Sequence, residues 1–105
     1  MPFKPGKPVH PAGGTGNAPS SAATPAGAVI SFDGGPNKNR QTVGQVLVTN
    51  RDAAVNLEIS FANGKDGTFF AIAPMTTIPF DVAVHDCRLR GDGAVVPYSI
   101  MGIIF

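Results

Sequence analysis

His85 and Cys87 stand two residues apart, a spacing that on a strand turns both side chains toward one face. A zinc or copper ion needs at least three such ligands at a fitting spacing. The only other histidine is His10, near the N-terminus, and none lies between Cys87 and Met101 as a cupredoxin-like copper site would need. No metal site is expected. Serines 20, 21, 31, 60 and 99 all lie outside a G-x-S-x-G elbow, and Cys87 with His85 lacks the third group that would orient a base. The carboxylates Asp33, Asp52, Glu58, Asp66, Asp81, Asp86 and Asp92 fall mostly in turns or on polar strand faces, where a solvated charge is the simpler reading. Gly13-Gly14-Thr15-Gly16 and Asp33-Gly34-Gly35 hint at phosphate cradles, but no helix follows either, so nucleotide binding is rejected. Phe69-Phe70 could stack a base or a sugar, although in an alternating strand one of the two rings faces outward anyway. Arg90-Gly91-Asp92 spells an adhesive tripeptide, yet Gly93 follows it where a charged, glycine-centred turn is already required. No catalytic residue, metal or cofactor is assigned, and the chain is not expected to be an enzyme.

The elements that carry these residues are strands. Val55, Leu57, Ile59 and Phe61 alternate with Asn56, Glu58, Ser60 and Ala62, and Ile78, Phe80, Val82 and Val84 alternate with Pro79, Asp81, Ala83 and His85. Pro79 cannot donate to a ladder, so its strand starts at a sheet edge or has Pro79 facing outward at its beginning. Val96, Tyr98 and Ile100 face one way while Val95, Ser99, Met101 and Ile103 face the other, so this last strand should be central or covered on both sides. Further strands are expected at 28–32, 44–49, 68–73 and 86–90. Turn residues separate them at 33–37, 50–52, 63–67 and 90–93. No stretch has the period of an amphipathic helix. The fold class is therefore all-β: a small antiparallel β-sandwich or jelly roll. Phe61 and Phe80 are expected in its core, with a loss of about 3–5 kcal/mol on truncation to Ala.

Residues 1–27 differ in kind. They hold six of the ten prolines and five of the thirteen glycines, and no acidic residue. Pro2, Pro5, Pro8 and Pro11 recur every three residues, the period of a polyproline II helix. The Gly/Ala/Ser/Thr/Pro stretch that follows has the composition of a flexible tether with too little apolar surface for a core. The division expected is an extended Pro/Gly-rich anchoring arm over 1–27 and a β-sandwich domain over 28–105. Fully extended, such an arm would span on the order of 80 Å. An idle linker needs neither a rigid repeat nor an aromatic and two cations, so Phe3, Lys4, Pro5, Lys7, Pro8, Val9 and His10 are assigned to partner binding.

Composition bounds the partners. The chain has 105 residues, 14% of them charged, and a formal charge of +1. That balance offers no field for nucleic acid or an anionic membrane. No apolar run approaches the ~20 residues of a membrane-spanning helix, and no apolar segment backs Lys4 and Lys7 as in a secretory signal. Cys87, the single cysteine, reads as a small buried hydrophobe. A domain of about 78 residues without disulfide or metal often needs support. The chain also ends on the apolar Ile103, Ile104 and Phe105, which are assigned to an oligomer interface. A homo-oligomer is expected, in the form of a trimer.

A Pro/Gly-rich arm, a compact β-domain and no catalytic set together resemble the cement or decoration proteins of tailed-bacteriophage capsids. The run LEISFANGKDGTFFAIAPMTTIPF, Leu57 to Phe80, resembles a pattern of small phage virion proteins, with a strand, a glycine turn, a strand and a proline-containing turn. A strand rising to Arg90-Gly91 and a closing strand through Ile100 follow. The resemblance implies trimers seated on a capsid surface, with extended segments gripping the shell. The partners would be the major capsid protein or other virion subunits, and the protein would be made in the host cytoplasm and carried on the virion. The alternative is a virion-surface receptor-binding or lectin-like adhesion module, with loops 63–67 and 90–93 as its contacts.

Overall fold

The computed structural model describes residues 7–9, 14–32 and 42–104, with backbone alone at 7–9 and 104. Nine strands occur there and no helix: β1 (Lys7–Val9), β2 (Thr15–Ala18), β3 (Ala28–Ser31), β4 (Gln45–Asn50), β5 (Leu57–Ser60), β6 (Phe69–Ile72), β7 (Thr77–Phe80), β8 (Asp86–Gly91) and β9 (Val96–Ile104). All seven strands expected from period-two alternation are present. The one expected from Ile78 to His85 stops at Phe80, because the chain then leaves its sheet to cross to the other. Val82 and Val84 still pack against the core. The turn expected at 33–37 lies outside the described residues, as do Phe3, Lys4, Pro5, His10 and Phe105.

The topology is one long hairpin folded over on itself. Moving inward from its ends, β2 pairs with β9, β3 with β8, β4 with β7 and β5 with β6, all antiparallel. Two further pairings, β4 with β9 and β5 with β8, join these ribbons into two sheets. The four-stranded sheet has the order β3-β8-β5-β6. The other reads β9-β4-β7, with both β1 and β2 on the free side of β9, which makes it five-stranded. This is the jelly-roll arrangement of two facing sheets. Pro79 sits in edge strand β7, as its missing donor requires. The core lies between the sheets. Val46, Val48, Val96 and Ile100 come from the five-stranded side, and Leu57, Ile59, Ile72, Cys87 and Leu89 from the other. Phe32 and Val43 complete it.

Phe61 and Phe80 are half-buried rather than central. With Phe70 they form an aromatic trio whose ring centroids lie 5.2–6.5 Å apart. Phe70 and Phe80 come from edge strands of opposite sheets, so the trio closes one open side of the sandwich, and Phe70 remains 56% exposed. The reading of residues 14–27 as a tether is also corrected. Ala18 is a core residue with 1% exposure. Beyond it the backbone is held by β8: the Gly91 N–H donates to Pro19 O at 2.8 Å and the Ser21 N–H donates to Gly91 O at 2.9 Å. Arg88 and Arg90 donate to the carbonyls of Gly27 and Pro25. The segment needs few apolar side chains, because main-chain hydrogen bonds and close seating of small residues hold it. An 80 Å reach is therefore not open to residues 7–9 or 14–27, which lie on the sandwich.

Candidate functional site

The residues with chemical potential are dispersed. Cys87 points into the core at 2% exposure, and burial, with a lesser push from the Asp86 carboxylate, raises its thiol to about 12. It is a protonated, inert thiol at neutral pH. His85 precedes β8 and faces solvent, with Nε2 3.8 Å from Asp86 Oδ2. Among the described residues no three His, Cys, Asp or Glu side chains converge. Three serine hydroxyls are engaged in structure: Ser60 Oγ accepts from the N–H groups of Ala62 and Gly64, Ser21 Oγ accepts from the Gly93 N–H, and Ser20 Oγ accepts from the Ala22 N–H. Arg90 is drawn back onto the four-stranded sheet, its guanidinium 3.7 Å from the Phe69 ring centroid and its Nε 2.8 Å from Glu58 Oε1. Gly91 is buried in β8, so the Arg-Gly-Asp tripeptide is not displayed as a loop. Tyr98 lies at the rim of the core near a cavity of about 210 Å³, bounded by Val29, Ile30 and Ser31 where β3 faces β2. Burial raises its phenol above the ordinary value, with Cys87 a lesser cause.

The two outer faces of the sandwich differ in charge. That of the four-stranded sheet carries Glu58, Asp86, Arg88 and Arg90. Alternation with buried Val46, Val48 and Ile100 directs Gln45, Leu47, Thr49, Ser99, Met101 and Ile103 to the outer face of the five-stranded sheet, where Thr15, Thr77 and Pro79 join them. These strands present no Asp, Glu, Lys or Arg on that face among the described side chains. Cross-strand register sorts it into two rows. Leu47 stands between Pro79 and Met101, an apolar row. Thr49 stands between Thr77 and Ser99, with Thr15 beyond Ser99, a hydroxyl row. The Thr49 and Thr77 hydroxyls are 2.7 Å apart and hydrogen-bonded. Leu47 and Met101 of the first row and the whole of the second line an open groove of about 440 Å³. Gln45 Nε2 donates to Asp81 Oδ1 at 2.9 Å on the rim.

Of the assigned interface residues, Ile103 lies half-buried on this face beside Met101. Ile104 continues β9, opposite Lys7 of β1. Pro8 and Val9 pair with Ile103 and Gly102, so this part of the sequence assigned to the anchor lies on the same sheet. Leu47, Thr49 and Thr77 were not picked out as site residues by sequence. Their signal was the unbroken Val46-Leu47-Val48 run in β4, the same two-faced pattern that marked β9. Compared with protein-family models, with curated proteins and with solved structures, the chain returns no match.

Proposed function

We propose that the protein is a structural interaction protein: a cement or decoration protein on the surface of a tailed-bacteriophage capsid. Its partners are the major capsid protein or other virion subunits, and copies of itself in a trimer. One observation carries the reading. Strand β9 has apolar residues on both faces and neighbours on both edges, yet no described strand packs over Met101 and Ile103. A half-apolar, uncharged sheet face is what a protein partner covers, and it is poorly suited to a nucleic acid or an anionic membrane. Ile103, Ile104 and Phe105 belong to that contact. Phe3, Lys4, Pro5, Lys7, Pro8, Val9 and His10 are the residues proposed to bind the shell.

The test is co-sedimentation of the full chain with virion shells stripped of it, beside a form lacking residues 1–6. The expected result is an unchanged melting temperature and lost shell binding in the shortened form; undiminished binding removes the arm from the account. A second reading, the receptor-binding or lectin-like module, is favoured by one feature, the 56% exposed Phe70 ring on its aromatic platform. A glycan-array signal abolished by Phe70→Ala, with shell stability indifferent to the protein, would select it.

A further inference from the structure

Asn63-Gly64 is the only Asn-Gly pair in the chain. The dipeptide carries a reaction of its own, in which the glycine nitrogen attacks the asparagine side-chain carbonyl. No Cβ on the glycine obstructs the approach. The N–Cγ bond forms, the Cγ–Nδ2 bond breaks and ammonia leaves. Water then opens the succinimide at either carbonyl, giving aspartate or isoaspartate, whose backbone runs through the former side chain. The attacking nitrogen must lose its proton and reach Cγ, so the packing around Gly64 decides whether the reaction runs.

The fold withholds that nitrogen. Asn63 and Lys65 are exposed, but Gly64 between them is buried. Its N–H donates to Ser60 Oγ at 3.2 Å. Ser60 has 0% exposure, and its hydroxyl is itself fixed. Thr68 Oγ1 gives its proton to Lys65 O, so Ser60 is the donor in the 2.8 Å contact between the two hydroxyls. Ser60 Oγ is thereby left to accept from the Ala62 and Gly64 amides. Ala26 lies against Gly64 so closely that a Cβ there would collide with its carbonyl group. Ala26 is held from both sides, since Arg90 donates to Pro25 O and Arg88 to Gly27 O.

We propose that Asn63 is a self-modification site guarded by residues 19–27. Seated, the segment keeps the Gly64 nitrogen buried on Ser60; lifted by local opening, it lets the loop deamidate. The product then opposes reseating. Isoaspartate places an extra backbone carbon between residues 63 and 64, where Gly64 and Ala26 already touch without room for a methyl group. The clamped chain is thus converted slowly, and in one direction, to a form with the segment released.

The test is timed incubation of the full chain at mildly alkaline pH, read by mass spectrometry of the fragment containing Asn63, with isoaspartate identified by enzymatic methylation. A synthetic peptide of residues 58–68 gives the unguarded rate. The folded parent is expected to deamidate at least about tenfold more slowly than the peptide, as a site reached only by local opening does. Arg88→Ala with Arg90→Ala removes the clamp and should return the rate toward that of the peptide while circular dichroism stays native. If the pair unfolds, Arg88→Ala alone tests the same step. Hydrogen exchange supplies a second readout, because the Ser21 and Gly91 amides bond across the seated segment. Both should exchange faster in the modified parent. In Asn63→Gly, which suits the φ of 59° and has no side chain to cyclise, they should stay slow through the same incubation. A peptide-like rate in the folded parent overturns the guard, as does a rate indifferent to loss of the clamp. Unchanged exchange after modification overturns the release.

Discussion

Asn50 does more than its place in a turn suggests. It has 0% exposure, and its amide nitrogen donates to the carbonyls of Val55 and Ile72, each at 2.9 Å, while its Oδ1 accepts the Asp52 N–H. One side chain thus pins the end of β4 to the loop before β5 and to the end of β6. Truncation to Ala strands three buried or half-buried partners and is expected to cost about 2–4 kcal/mol in urea unfolding. A loss below about 0.5 kcal/mol would mean that water replaces the amide. Sequence identified Asn50 as a turn residue and could not show that its side chain turns inward, because that depends on where β6 lies. The neighbouring Asp52 carboxylate accepts the N–H groups of Ala54 and Val55, and these bonds hold its pKa below the usual 3.8. Its contribution to stability is therefore complete above that value and fades as pH falls through the lower folded value. The melting-temperature gap between the parent and Asp52→Ala should narrow below pH 3.8. A constant gap would contradict the assignment.

At the scale of elements, the strands were legible and the seating of residues 14–27 was not. Period two survives in β4 and β8 because each buries one face completely. In β2 the sequence Thr-Gly-Asn-Ala has no such alternation, and its place is set by β9 rather than by its own side chains. Two glycines of one loop report on this seating. A Cβ on Gly64 would lie 2.1 Å from the Ala26 carbonyl oxygen, whereas one on Gly67 would meet nothing within 4 Å. Their φ values, 73° and 78°, impose nearly the same backbone penalty. Gly67→Ala should therefore cost about 1–2 kcal/mol, and Gly64→Ala several times that or an unseated 19–27 segment. Equal losses would mean that the segment is not held against this loop. The same seating separates two truncations. Removal of residues 1–6 leaves every described strand in place, while removal of residues 1–27 takes β1, β2 and buried Ala18 and should lower the melting temperature markedly.

At the scale of the molecule, the sandwich is polarised. Its four-stranded face is charged and overlaid by the segment that Arg88 and Arg90 hold, and its five-stranded face is uncharged and open. The Gly and Pro excess that suggested a long free arm is split between strands β1 and β2, the loop on β8, and residues outside the described ones. The proposed function requires that neighbours cover the half-apolar outer face, and the account stands or falls on whether they do. An image of the protein in its native assembly at side-chain resolution tests this most directly. The account predicts protein density over Leu47, Met101 and Ile103. A bare five-stranded face, with the assembly held through the charged sheet or by loops 63–67 and 90–93, would contradict it.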